Sequence, residues 1–199
     1  MQVKRIGDYE ALRGLQGSRH YIYKYERSKM TIRPIVTLPD PVLRRKARPV
    51  TRFDAELQTL VNDMIDTMRE APGVGLAAPQ VGVSEAVIVV EYVEDEEDEN
   101  APKKLYVMVN PEIKKCSEAT ELGFEGCLSV PGWQGEVERA LAVTVKGFTS
   151  HGKPMKVKAK GWMARIFQHE IDHIDGVVFT DRATKVWKPQ AEQPPLDNV

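Results

Sequence analysis

Cysteine is scarce in this chain: Cys116 and Cys127 are the only two among 199 residues. So few thiols exclude a disulfide framework and make a reducing compartment, the cytoplasm, the expected setting. No apolar run approaches membrane-spanning length, and the first residues lack the apolar stretch of a secretory signal. Asp8 and Glu10 among the basic residues near the start argue against an organelle transit peptide. Charge of either sign is not in excess, with 28 Lys and Arg against 29 Asp and Glu and a formal net charge of -1. No direct nucleic-acid binding by bulk electrostatics is therefore expected, although that total is compatible with a local basic patch. What is abundant is ordinary: 42% hydrophobic residues are enough to build one packed domain at this length.

Histidine is also rare, at four, yet two of the four fall in Gln168-His169-Glu170-Ile171-Asp172-His173. Trp162, Met163, Ile166, Phe167, Ile171 and Ile174 recur at steps of three and four, which predicts an amphipathic helix from about Gly161. His169 and His173, four apart, project from one face and can share a metal ion. Glu170 is rotated off that axis, where a general base acting on water should stand. The competing reading is a pair of hydrogen-bonded core histidines, and a third ligand elsewhere must decide.

Two other stretches have unusual chemistry. Gly73-Val74-Gly75-Leu76-Ala77-Ala78-Pro79-Gln80 is a tight segment of small residues whose backbone a ligand can approach, or equally a connecting turn. Glu125-Gly126-Cys127-Leu128-Ser129 is closed by Val130-Pro131-Gly132. Cys127 is either a small buried residue or the third ligand beside His169 and His173, since sites of the catalytic zinc type take three protein ligands and keep one position open. Cys116 follows two lysines in a polar setting and reads as a bystander, as do His20 and His151.

Around these motifs the chain alternates short elements. Thr51 or Asp54 should cap a helix running through Leu57, Leu60, Val61, Met64, Ile65 and Met68 to about Glu70. Strands are expected at Ala86–Val90, at Leu105–Val109 ended by Asn110-Pro111, at Ala142–Val145 and at Met155–Lys158. Tyr21–Tyr25 reads as an edge strand or a loosely docked arm. The acidic run from Glu91 to Asn100 reads as a solvated loop.

The three motifs, in this order, resemble those of the peptide deformylases: Gly73 to Gln80, Glu125 to Ser129 and Gln168 to Gly176. Ile174, where that family usually has Leu, is a near-isosteric departure. The resemblance covers roughly Thr31 to Arg182 and implies removal of the formyl group from the N-terminal formyl-methionine of newly made polypeptides, with release of formate. It implies one divalent metal per chain, iron(II) in the family and exchangeable for zinc, nickel or cobalt, held by Cys127, His169 and His173. By matching position, Glu170 is the acid/base, Gln80 and the Leu128 N–H stabilise the oxyanion, and Gly75 binds the substrate backbone in an extended pose. Val74, Trp162 and Ile166 are expected as walls of a methionine pocket, and Glu125 and Arg139 as an ion pair beneath the cysteine loop. The implied partner is an N-formyl-methionyl peptide, with the ribosome near the nascent-chain exit as the place of encounter and no membrane involved.

Two rival readings compete on the same residues. A zincin-type metallopeptidase needs a His or Glu ligand downstream, but beyond His173 stands only Glu192 in the tail. A non-catalytic, metal-stabilised binding protein needs a fourth ligand, and neither Glu170 nor Gln80 serves a structural metal site. The expected fold is α+β: short, mostly antiparallel strands packed around a central metal-binding helix, with a second long helix outside. Residues 1–30 are expected to be an N-terminal extension, 31–185 the catalytic domain and 186–199 a disordered tail.

Overall fold

The computed structural model describes residues 31–71, 73–93 and 102–189. The Tyr21–Tyr25 segment, His20, the acidic residues 94–100 and the tail from residue 190 lie outside the described residues. In chain order the elements are α1 (Ala55–Glu70), β1 (Gly75–Ala77), β2 (Val87–Val93), β3 (Lys103–Cys116), β4 (Thr120–Gly126), β5 (Gln134–Ala140), β6 (Ala142–Phe148), β7 (Pro154–Lys160), α2 (Gly161–Ile174), α3 (Phe179–Arg182) and β8 (Lys185–Trp187). The strands form two antiparallel sheets, one in the order β1-β2-β3-β6-β7 and one in the order β4-β5-β8. This is the α+β architecture expected.

The larger sheet is buried on both faces where it is most apolar. Ile88, Val90, Tyr106, Met108, Val145 and Val157 point to one side, against Met163, Ala164, Phe167 and Ile171 of α2. Val87, Val89 and Val109 point to the other, against Leu57, Leu60, Val61, Met64 and Met68 of α1. Two-sided burial is why the Ala86–Val90 stretch reads as a continuous apolar run rather than an alternation. Each buried Val, Leu, Ile, Met or Phe side chain among these contributes roughly 1.5–3 kcal/mol. Asp54 caps α1, its carboxylate accepting from the backbone N–H groups of Glu56 and Leu57. That satisfies donors the first turn would otherwise leave open. The metal-motif helix α2 lies between the two sheets and is buried along most of its length.

Three expectations need correction. Glu91 is not in the acidic loop: it pairs with Leu105 in the β2–β3 ladder and with the guanidinium of Arg69. The strand from Leu105 does not end at Pro111 but runs to Cys116. A bulge absorbs the proline between the Val109–Phe148 and Glu112–Lys146 pairs, where a missing ladder donor costs little. Asn110, at φ 52°, turns the chain there, exchanging side-chain hydrogen bonds with both backbone groups of Val50. Finally, the ordered fold passes residue 185: β8 pairs with β5, Gln134 opposite Trp187.

Candidate metal centre

Strand β4 delivers Cys127 just beyond its end, and α2 delivers both histidines. One donor atom each from Cys127, His169 and His173 lies within 4.8 Å of the others. The Cys127 sulfur is 3.2 Å from His173 Nε2. The expected ligand set is therefore brought together, and its donors fit a single ion: a thiolate and two imidazoles suit a first-row divalent metal. His169 presents Nε2 to this point because its Nδ1 is taken by Glu125 Oε2 at 2.9 Å. A carboxylate on the far nitrogen is the usual device for fixing the ring and tautomer of a ligating histidine.

Glu125 is clamped. Arg139 meets it with two parallel bonds, 2.8 and 2.9 Å, and Arg165 Nη1 adds a third at 3.0 Å. All three side chains are buried. Burial alone would raise the Glu125 pKa, but the hydrogen bonds from Arg139 and His169 overcome it and hold the carboxyl down at about 2. Asp172 extends the network. It accepts from Arg139 Nη1 at 2.6 Å and from Arg182 of α3 at 2.6 and 2.7 Å. The expected Glu125–Arg139 pair thus forms one link of a chain from α3 to the His169 ring.

Glu170 sits apart from these cations. Burial pushes its carboxyl up to about 7, the His169 charge pulling the other way. Its Oε2 is buried without a hydrogen-bond partner, so it is aimed at something the protein itself does not supply. For the histidines, burial depresses both imidazoliums. In His169 it is outweighed by bonding to Cys127 and Glu125, which raises the pKa well above the usual value. In His173 burial is reinforced by the His169 charge, and the pKa falls well below it.

The remaining expected residues line one cleft of about 560 Å³, with Val74, Gly75, Gln80, Leu128, Trp162, Ile166, His169 and Glu170 in its walls. Val74 and Trp162 are each 45% exposed, at the mouth, whereas Ile166 is buried. Gln80 is fully enclosed and oriented. Its Oε1 accepts from the Ala77 N–H at 2.8 Å, which turns its NH2 group toward Cys127 and Ser129. Gly75 is required by space: a Cβ there would run into the Glu170 carboxylate, 2.8 Å from its Cδ. Sequence reasoning assigned no role to Arg165, to Trp133 in the outer wall, or to Ser129, whose hydroxyl accepts from Gln80 at 3.3 Å. Arg165 left a signal, a lone cation inside the apolar pattern of α2, four residues before His169.

Comparison with known proteins gives the same answer. The family described as "Polypeptide deformylase" matches residues 32–188. A peptide deformylase from Natranaerobius thermophilus is 48% identical over 161 residues, 81% of this chain and 98% of its own. One from Brucella suis is 45% identical over 157 residues, 79% of this chain and 87% of its own. Among solved structures, the Met-Ala-Ser-bound class I type b peptide deformylase of Acinetobacter baumannii matches with TM-score 0.70 and 41% identity, over 76% of this chain and 98% of that one. A Legionella pneumophila peptide deformylase matches with TM-score 0.69 and 47% identity, over 77% and 87% of the two chains.

Proposed function

Because this chain belongs to the polypeptide deformylase family, we propose that Cys127, His169 and His173 hold its metal and that Glu170 moves the proton in its reaction. As a member of that family it is an enzyme that removes the N-formyl group from nascent peptides. The metallopeptidase and binding-protein readings fall away with the family match.

The observation that carries the assignment of roles is the division of labour among the buried carboxyls. Glu125, gripped by Arg139 and Arg165, stays ionised and orients His169. Glu170, raised to about 7 by burial, is poised to exchange a proton near neutrality. A divalent ion held by the three ligands would lower the pKa of a water and polarise the formyl carbonyl. Glu170 accepts the proton that the attacking water gives up and returns it to the departing amine, whose C–N bond breaks as formate leaves. Charge on the formyl oxygen is met by the Gln80 NH2 group, fixed by Ala77, and by the Leu128 N–H; one such donor is worth about 3–4 kcal/mol. Val74, Trp162 and Ile166 receive the methionine side chain, and Gly75 leaves room for an extended backbone. The Met-Ala-Ser held by the Acinetobacter relative supports a peptide beginning with methionine in this cleft.

Iron(II) is the proposed ion, with zinc, nickel and cobalt able to replace it in the same donor set, and the cytoplasm the proposed location. The decisive experiment is formate release from a formyl-methionyl peptide under anaerobic conditions with iron(II), for wild type and Glu170→Ala. The expected outcome is activity in the wild type and a loss of about 10²–10⁴-fold in the variant, with one metal per chain retained in both. A variant that binds metal and keeps its rate would remove Glu170 from the mechanism.

A further inference from the structure

Helix α1 covers only part of its face of the larger sheet. Over β1, β2 and the first half of β3 that face carries Val87, Val89 and Val109 beneath the helix. Beyond the bulge at Asn110 the same face continues onto β6 and β7 with no element packed on it among the described residues. The register fixes what it presents. One row across the strands reads Glu112, Lys146, Lys156; the next reads Lys115, Thr144, Lys158; the last reads Ala142, Lys160. The opposite side chains, Ile113, Val145, Val157 and Ala159, point into the core. Five lysines therefore share one sheet face with one glutamate, and Glu112 is already paired with Lys114. All five lysines are exposed.

The arrangement has a cost that the fold does not offset. Lys146 and Lys156 are directly opposite in the ladder, and like charges so placed are destabilising. Lysines on β7 alone would be explained as protection of an edge strand against pairing with another chain. Lys146 and Lys115 lie one and two strands inside that edge, where no such protection is needed. At the border with α1, Phe148 on the same face and Phe53 are each 37% exposed, stacked edge to face at 6.0 Å. Lysines at strand spacing with aromatic faces at their margin suit a phosphate backbone and its unstacked bases. The near-zero net charge of the chain conceals this segregation, because the compensating acid includes the run Glu94–Glu99.

We propose that the β3–β6–β7 face is a docking surface for RNA, gripped through its phosphates. Strand β7 runs directly into α2, whose Trp162 stands at the mouth of the cleft, while the lysine face is turned away from that helix. The choice of RNA over other polyanions rests in part on the deformylase reading, since nascent peptides are found beside ribosomal RNA.

The test is fluorescence anisotropy of the full chain with a labelled single-stranded RNA and a labelled RNA hairpin, at about 50 and 200 mM salt. Engaging three to five phosphates predicts a slope of log K against log salt of about -2 to -4. The Lys146→Glu/Lys156→Glu/Lys158→Glu variant should bind at least tenfold more weakly, with its slope reduced by about 2, and the corresponding glutamines should fall between. Formate release from a short formyl-methionyl peptide should be unchanged in these variants. That assay reports folding and tests the deformylase reading separately. An equal loss from Arg45→Glu/Lys46→Glu, away from this face, would overturn the proposal. So would undetectable RNA binding, tighter binding to phosphatidylserine vesicles than to RNA, or a low-salt dimer that excludes RNA.

Discussion

At the scale of single residues, the site depends on what is kept away from Glu170 as much as on what touches it. Gly75 faces its carboxylate so closely that any Cβ there forces a shift. Gly75→Ala must displace Glu170 or β1, and overpacking of this kind costs about 1–3 kcal/mol. The expected result is a fall in kcat of tenfold or more with metal content unchanged, read by formate release and metal analysis on the same preparation. Glu125 and Glu170 also pull the metal-free protein in opposite directions with pH. Glu125, held at about 2 against an ordinary 4.5, contributes stability that is complete above pH 4.5 and is lost as the pH falls from there toward 2. Glu170, raised to about 7, favours its neutral form in the fold, so its contribution falls as the pH rises from 4.5 through 7. Urea unfolding in chelator should show both limbs. Glu125→Gln should flatten the acid limb and Glu170→Gln the neutral one; a limb that persists in its variant belongs to another group.

At the scale of elements, the candidate metal centre is a joint between two pieces of chain, and Arg165 is the pin. From α2 its guanidinium donates to the Glu121 and Val137 carbonyls at 2.8 Å and to Glu125 at 3.0 Å. The helix that carries both histidines is thus tied to the β4–β5 ribbon that leads to the cysteine. Room for it comes from Gly123, where a Cβ would meet the guanidinium carbon at 2.7 Å. Arg165→Met should cost about 3–5 kcal/mol by leaving Glu125 short of a partner and weaken metal binding about 10–100-fold. Competition with a chelator checks the second figure, and unchanged affinity would reduce Arg165 to a purely structural role. This joint also marks the limit of what the sequence disclosed. The His169–His173 pair was legible because its spacing is local, four residues on one helix turn. Helix α1 was legible for the same reason, from its cap and its apolar period. Strands β4 and β5 were not, because glycines at 123 and 135 and charges at 125 and 139 break the apolar alternation; those residues serve an inner face built of arginines and carboxylates. Strand β8 is only three residues long, too short for a pattern. Arg165 could not be assigned from spacing, since its partners lie 28 to 44 residues away.

For the whole molecule, the question is which residues the catalytic unit needs. We propose that it spans 31–189, and the first twenty of these residues are the informative ones. They form little secondary structure, yet they strap the elements together. The Val36 N–H donates to the Gln80 carbonyl and the Leu38 N–H to that of Ser129, which joins two of the three motif segments. Arg33 pairs with Asp63 of α1 at 2.8 Å. The Ala47 N–H reaches the Ile174 carbonyl at the end of α2, and Val50 is held by Asn110 at the bulge. Leu43 is completely buried. A segment of this kind contributes through tertiary contacts alone: its four prolines rule out a helix, and Ile35, Val36, Leu38, Val42 and Leu43 are the apolar residues that mark it as chain packed across a core. Deleting residues 1–30 should leave formate release within about twofold and lower stability by less than about 1 kcal/mol, since none of these straps is cut. Deleting 1–50 should remove at least four backbone hydrogen bonds, at about 1 kcal/mol each, together with the burial of Val42 and Leu43, at about 1.5–3 kcal/mol apiece. That sum, roughly 7–10 kcal/mol, rivals the whole stability of a domain of this size, so the shorter chain should not fold. Circular dichroism and formate release on the two truncations distinguish the cases; loss of activity on removing 1–30 alone would move the boundary of the catalytic unit into the N-terminal arm.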